Sequence, residues 1–561
     1  MSTKKYLITS ALPYSNGPVH IGHLAGCYLP ADTFVRFLKL QEKEVLFVSG
    51  TDEHGVPVTI RAQKEGTTVQ NVVDKYHTII KTSFENFDID LDVFSRTTKA
   101  IHHETATAFF KEMYAHNQFV EIETEQYYDE KASTFLADRY ITGTCPHCQN
   151  TNAYGDQCEQ CGSSLNATDL INPKSMLSDA VPVLKKTKNW FLPLDKLQPQ
   201  INAFIESHPE WKSNVKGQCE SWLKQGLQPR AMTRDLNWGI PLPIDHTDGK
   251  VMYVWFEAPI GYISATKDYF QSINAPENTW ESWWKDKDTQ LIHFIGKDNI
   301  VFHCIIFPAM LIAHGDYILP TNVPANEFLN LEGQKISTSR NFAVWLDEYL
   351  IDLPDKTDEL RYVLTSIAPE TKDADFTWQD YQARINGELV AVLANFIHRV
   401  LTLINKNYDG IVPQDTVIKD VKLKNTVNEQ IQILENSLQK YEFRFGLKAM
   451  MEIARIGNKY LADQEPWRLK AEEDKPKVVE ILSNALQISG QLQILMQLFL
   501  PRASKHLAAM LNIKEPLKWK DLHQAFIFAK GHAIEKSNHL FKPIEDEVIA
   551  LQVEKLKVIM N

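Results

Sequence analysis

The chain has no run approaching eighteen consecutive apolar residues, and Met1 to Ser10 leads into a strand-like segment with no basic-then-apolar leader. Neither a membrane span nor a secretory signal is read from it. It also lacks G-x-x-x-x-G-K-[ST] and G-x-G-x-x-G, so the P-loop and the common dinucleotide fingerprint are both excluded as nucleotide devices. Internal repeats and low-complexity runs are missing as well. Cysteine is sparse: of seven, four cluster at Cys145, Cys148, Cys158 and Cys161, while Cys27, Cys219 and Cys304 are scattered. That is not a disulfide framework, and it leads us to expect a cytoplasmic protein with reduced or metal-bound thiols.

Positive charge is short too, with 59 Lys and Arg against 71 Asp and Glu, a net of −12. Taken whole, this argues against a nucleic-acid partner, because phosphate binding runs on Lys and Arg. The distribution weakens the objection. Residues 386–561 carry 24 Lys and Arg against 21 Asp and Glu, whereas residues 1–385 carry 35 against 50, so a basic face on the C-terminal part is allowed.

At 561 residues and 44% hydrophobic, the chain exceeds one core, and three or four packed units are expected. In the first 115 residues short apolar runs alternate with helical patterns. Tyr6 to Thr9 is a strand candidate, Leu24, Cys27, Tyr28, Ala31, Phe34, Val35 and Leu38 recur at helical spacing, and Val45 to Val48 is a second strand. The alternation stops from about 116 to 235 and returns at Leu291 to Ile295 and the helix-like Asn299 to Ala313. The fold class is therefore α/β, a parallel sheet split by an insertion. From about 386 the pattern is helical, with one stripe over Ala391, Leu393, Ala394, Ile397, Val400, Leu401 and Ile404 and another within 478–500, which predicts a helical bundle.

Three polar clusters, residues 13–23, Thr51 to Gly55 and Gly296 to His303, each follow an apolar strand candidate directly. Ligands of open parallel sheets bind outside the carboxyl ends of the strands, so the three mark one site. In the first, His20 and His23 flank Gly22 at the opening of a helix whose free amides and dipole favour anions. Gly22 is expected to let adenine approach the backbone, and the imidazoles to donate to a phosphate oxygen. Lys335, Ile336, Ser337, Thr338 and Ser339 supply a cation and hydroxyls for the far phosphates. The cysteines read C-x2-C, nine residues, C-x2-C, with Gly155 and Gly162 as turns. This is the tetrahedral four-thiolate shell of zinc, closed to water and hence structural.

HIGH at 20–23 and KISTS at 335–339 resemble the paired signatures of class I aminoacyl-tRNA synthetases. ALPYSNGP at 11–18, TDEHG at 51–55, YVWFEAPIGY at 253–262, GKDNIVFH at 296–303 and EPW at 465–467 extend the match, and together they resemble the methionyl-tRNA synthetase family over nearly the whole chain. The resemblance implies a two-step reaction: methionine attacks the α-phosphate of Mg·ATP, and the terminal adenosine of tRNA(Met) then takes the methionyl group. It gives the fold as a Rossmann-like catalytic domain split by a zinc-knuckle insertion and followed by a helical anticodon domain. The expected limits are 1–115 for the first catalytic half, 116–235 for the connective insertion, 236–325 for the second half, 326–385 for the stem-contact region with the KISTS loop, 386–535 for the anticodon domain and 536–561 for a tail.

Residue by residue, the resemblance implies His20, His23 and Lys335 as catalytic groups. ATP would be held by His20, Gly22, His23, Lys335, Ser337, Thr338 and Ser339. Leu12, Tyr14, Asp52, Trp255, Pro259, Tyr262 and His303 would bind methionine, Asp52 through the α-ammonium, and the polarizable, aromatic character of the others suits a thioether. Asn395, Arg399 and Trp467 would read the anticodon, Trp467 following a proline that can start a helix. The sequence departs from the family at Thr338, where KMSKS has its second lysine; Lys335 or Arg340 is expected to take over its work. Leucyl, isoleucyl and valyl enzymes need a larger editing insertion than these roughly 120 residues that include a zinc knuckle. A cysteinyl enzyme places open zinc in the amino acid pocket. Outside the class, a nucleotidylyltransferase has no need of the helical tail, and a zinc-knuckle RNA-binding protein none of the three strand-end clusters. Some relatives carry a further C-terminal tRNA-binding and dimerisation domain; without one, the chain as it stands is expected to be a monomer.

Overall fold

The computed structural model describes residues 4–560 apart from 137, 156, 157, 159, 162, 164, 179, 248 and 339. Its central sheet has five strands, β1 Lys5–Ser10, β2 Glu44–Thr51, β3 Val93–Arg96, β4 Gln290–Gly296 and β5 Ala325–Asn326, in the order β5-β4-β1-β2-β3. Every pairing is parallel, with Ile8 opposite Phe47 on one side and Ile292 on the other. β1 and β4 are neighbours although β2, β3 and the long segment 97–289 lie between them along the chain, so the segment after β3 is inserted into one sheet.

The strands are apolar runs because both faces are covered. Ile8, Phe47, Ile292 and Phe294 point into a core shared with helix 21–40 and the C-terminal helices. Leu7, Leu46, Val48, Leu291 and Ile295 point the opposite way, into a core shared with helix Val254–Ser272 and the helices of the insertion. The period of two in side-chain direction thus sorts one strand into two cores.

Within the insertion, Val120–Asp129 pairs antiparallel with Val183–Leu192, and a small sheet, Ala153–Tyr154, Ile141–Thr144 and Ile171–Ser175, carries the cysteines. From Trp378 to Met510 the chain is mainly helical, and a last helix, Asp546–Met560, follows a largely irregular stretch. Helix Trp378–Tyr408 is long and apolar enough to cross a membrane by length and composition, yet Ile385, Leu389, Leu393, Phe396 and Ile397 are buried in the bundle. Two details depart from the sequence reading. Ala391 faces outward and Phe396 fills the core instead, reaching the helix Phe443–Gln464 where Gly457 leaves it room; a Cβ there would lie 2.5 Å from its ring. The segment 478–500 is not a one-sided stripe. Helix Lys475–Phe499 is buried nearly all round, because it is the central helix of the bundle.

Candidate active site

β1, β2 and β4 all end at one cleft of about 1980 Å³, lined by Leu12, Tyr14, His20, Gly22, His23, Asp52, Trp255, Pro259, Tyr262, His303, Lys335 and Thr338 among others. The three polar clusters are therefore one site. The chains leaving β1 and β2 stay joined past the strands, where Tyr14 bridges Asp52 and the Ser15 amide donates to the Asp52 carbonyl.

The histidines are held by the helix they begin. His20 is the N-cap: its Nδ1 accepts from the Gly22 amide at 3.1 Å, while Nδ1 of His23 accepts from the His20 amide at 3.1 Å. The rings stack with centroids 3.7 Å apart. Burial, helped by the neighbouring His23, pushes His20 well below its ordinary pKa, and burial brings His23 down to about 4. Both are neutral at physiological pH, and with Nδ1 accepting, each carries its proton on Nε2. The outcome is two preset hydrogen-bond donors without net charge.

Gly22 lines the cleft and has a second reason to be glycine. A Cβ there would lie 3.0 Å from the His20 ring and 3.2 Å from Ile336 Cδ1, so the close approach is made by His20 itself. The helix then opens into a wide turn at Leu24–Tyr28, and a second wide turn at Phe302–Ile306 carries His303. Such turns concentrate at functional sites. The Asn326 side-chain Nδ2, at the end of β5, donates to the Ala25 carbonyl within the first of them.

The amino acid end of the cleft is aromatic and set by hydrogen bonds. His303 Nδ1 lies 3.1 Å from the Asn299 carbonyl, so its proton sits there and Nε2 accepts from the Tyr262 hydroxyl at 2.8 Å. Burial lowers His303 to about 4 and raises Tyr262, leaving a neutral wall. Phe302 meets Trp255 edge-on at 5.7 Å, and the Arg230 guanidinium lies 4.0 Å over the indole. Asp52 is 5% exposed, and its Oδ1 has no hydrogen-bond partner among the described residues. Burial, followed by the charges of Glu257 and Glu53, pushes its pKa well above the usual value. A carboxylate stored this way is completed by a cation.

The phosphate loop joins the same frame. Ser337 bridges Phe342, which is buried, and Trp345 bridges His20, so the strand leaving the loop pairs with the histidine turn. Lys335 and Thr338 are exposed at the mouth. Ser337 does not line the cleft; its Oγ accepts the Arg340 amide at 3.4 Å, inside the loop's own turn. Arg340 folds back on the Lys335 carbonyl at 3.4 Å. Ser339 lies outside the described residues, as does Gly162.

The four cysteine sulfurs all lie within 4.8 Å of one another, with Cys145 to Cys161 at 3.9 Å and Cys148 to Cys158 at 3.5 Å. A tetrahedron of sulfurs about 2.3 Å from a central ion has edges of about 3.75 Å, so the cluster fits one metal ion. Arg399 lies 4.9 Å over the Trp467 ring, and Asn395, one turn earlier, reaches Asn458 at 3.4 Å. Pro466 opens a turn rather than a helix. Trp467 is 39% exposed, so it is available to stack on a base.

The sequence reading missed His54, which lines the cleft, and Glu257, buried behind it. Both stood inside quoted segments, TDEHG and YVWFEAPIGY, where an uncommon buried-polar type among apolar neighbours was the available signal.

The split parallel sheet, with its histidine turn and facing loop, is the architecture of a class I aminoacyl-tRNA synthetase, and the family described as tRNA synthetases class I (M) matches residues 6–401. The anticodon binding domain of methionyl tRNA ligase matches residues 412–558. Methionine–tRNA ligase of Parabacteroides distasonis is 58% identical over 557 residues, spanning 99% of this chain and 81% of that one; the Porphyromonas gingivalis protein of the same name is 57% identical over 558. The chain belongs to the methionine–tRNA ligase family and is an aminoacyl-tRNA ligase. The fold is shared with Mycobacterium tuberculosis methionyl-tRNA synthetase bound by methionyl-adenylate, at TM-score 0.79 and 22% identity, covering 96% of this chain and 100% of that one.

Proposed function

We propose that the cleft performs both half-reactions of methionine ligation with the residues assembled there. The methionine α-ammonium pairs with Asp52, and the thioether lies among Leu12, Tyr14, Trp255, Pro259, Tyr262 and His303. The carboxylate attacks the α-phosphorus of ATP, forming a P–O bond as the bond to pyrophosphate breaks. Nε2–H groups of His20 and His23 donate to the oxygens on which charge accumulates, and as neutral donors they hold no ground-state ion pair that must be broken. Lys335 and Thr338 at the mouth bind the departing phosphates, with Ser337 and Ser339 assigned to ATP as members of the same sequence motif. A terminal adenosine hydroxyl of tRNA then attacks the acyl carbon and releases AMP. The single observation that carries this reading is the buried Asp52 Oδ1, which has no hydrogen-bond partner among the described residues and lies in a cleft walled by aromatic residues.

Zinc is the metal that suits four thiolates, and its part is to hold the knuckle, whose Arg139, Tyr154 and Ser163 line the same cleft. Magnesium, when bound with ATP, supplies charge neutralisation at the phosphates. Asn395, Arg399 and Trp467 read the anticodon. We take the chain to act in the cytoplasm, where thiolates stay reduced, and as a monomer as it stands. The domain limits given from the sequence serve as the working division. The test is amino-acid-dependent ATP–pyrophosphate exchange across methionine, leucine, isoleucine, valine and cysteine. Methionine alone is expected to support exchange, and a response to another of the five overturns the pocket assignment.

A further inference from the structure

Behind Asp52 stands a chain of buried polar groups that the reaction does not use. His54 follows Asp52 by two residues in the loop that leaves β2. Nδ1 of the His54 ring lies 3.1 Å from Glu257 Oε1, the other Glu257 oxygen lies 2.7 Å from His102 Nε2, and His102 Nδ1 lies 2.9 Å from the Ser264 hydroxyl. Glu257 is fully buried, with His102 and His54 nearly so. Neither Glu257, His102 nor Ser264 lines the cleft. Glu257 and Ser264 lie on helix Val254–Ser272, which also presents Trp255, Pro259 and Tyr262 to the thioether.

A buried carboxylate is tolerated only when its partners are well placed, and as mere packing an apolar residue does as well or better. Here the partners come from three separate segments, and the network ends two residues from the one assigned to the ammonium. We propose that the His54–Glu257–His102 relay positions Asp52 for the α-ammonium, tying the loop that binds one end of the amino acid to the helix that walls the other. Asp52 Oδ1 is buried without a hydrogen-bond partner among the described residues, which leaves it for the ligand. Glu257 is a positioning residue: it never touches methionine, and it acts through His54. The inference rests on the assignment of Asp52 to the ammonium.

The experiment measures equilibrium binding of methioninol, which keeps both ammonium and thioether, and of its des-amino counterpart, in Glu257→Gln, Ser264→Ala, Asp52→Asn and the Glu257→Gln/Asp52→Asn double variant. Glu257→Gln also removes the negative charge that raises the Asp52 pKa, which by itself favours methioninol, so the expected net weakening of up to about tenfold, with the des-amino ligand and the KM for ATP unchanged, reads the positioning. Ser264→Ala gives a smaller loss of the same kind and carries the test if Glu257→Gln does not fold. In the double variant the Glu257 change adds nothing to Asp52→Asn. Equal weakening of both ligands by Glu257→Gln, or effects that simply add in the double variant, would overturn the relay while leaving Asp52 in place. If Asp52→Asn itself fails to separate the two ligands, the ammonium assignment falls, and the relay with it.

Discussion

Arg361→Met should loosen the whole molecule, although Arg361 touches neither the cleft nor the bundle surface. Arg361 is completely buried and reaches Asp32 Oδ2 at 2.5 Å, the Phe499 carbonyl at 3.1 Å, and the Phe87 and Asp88 carbonyls at 3.4 and 3.3 Å. Asp32 lies on helix Leu29–Leu40, continuous with the histidine turn, and Phe499 ends the central helix of the bundle. Breaking a buried pair from one side costs ~3–5 kcal/mol. Asp32 keeps Arg36 at 2.8 Å and the Asp90 amide at 2.8 Å, which favours the lower end. Three carbonyls lose their donor, at about 1 kcal/mol or more apiece, which favours the upper, and we expect about 4 kcal/mol.

Acid sensitivity follows from the same node. Burial would raise Asp32, but Arg36 and Arg361 override it and hold its pKa below the usual value. Its stabilisation is thus present above the unfolded carboxylate pKa, about 3.9, and is lost as pH falls through the lower folded value. Without Arg361 the folded value rises, so acid unfolding begins at higher pH. Urea unfolding followed by tryptophan fluorescence and by far-ultraviolet dichroism provides the measurement. Arg361→Met should lower the midpoint and separate the two probes as sheet and bundle uncouple. Coincident transitions at the wild-type midpoint would refute the reasoning.

Three further outcomes are expected. Nitrogen-15 spectra should show His20 and His23 as Nε2–H tautomers that do not titrate near 6.5; because His23 is depressed to about 4, its stabilising neutral form is favoured above the unfolded pKa, and stability declines as pH falls from about 6.5 towards 4. An imidazole at either position titrating at its ordinary pKa contradicts the capping geometry. Arg340→Ala should slow pyrophosphate exchange several-fold with methionine affinity unchanged, since the guanidinium stands near the mouth where Thr338 replaces a lysine; an unchanged exchange rate removes Arg340 from the phosphate chemistry. Cys145→Ala should release the metal and unfold the knuckle while residual adenylate formation persists, and a variant retaining one equivalent of zinc would count against the four-thiolate site.

Much of the site was legible because its signals are local. A parallel strand buried on both faces is an apolar run, and a polar cluster just after it marks the strand's carboxyl end, so residues 13–23, 51–55 and 296–303 converge in space as their positions along the chain imply. The four cysteines were legible for the same reason. What periodicity could not reach was anything set by long-range contact. Glu257 meets His54 across 203 residues and His102 across 155, and Arg361 meets Asp32 across 329. The all-round burial of helix Lys475–Phe499 depends on how many helices surround it, which the polar Gln487, Gln491 and Gln493 disguised. The closeness of the His20 ring to Gly22 was not legible either, because it is a rotamer choice rather than a spacing.

The capping of helix 21–40 by His20 and His23 has a consequence for anyone wishing to silence this protein without breaking it. The groups assigned to chemistry also satisfy the helix's first free amides, so their removal injures catalysis and scaffold together, and an alanine at position 20 leaves the Gly22 amide without its acceptor. Loss of activity in such a variant would not by itself show a catalytic role. Asparagine keeps a side-chain acceptor suited to an N-cap while lacking the imidazole, which makes His20→Asn the cleaner inactive control. The same overlap narrows the substitutions by which a descendant could abandon the reaction and keep the fold.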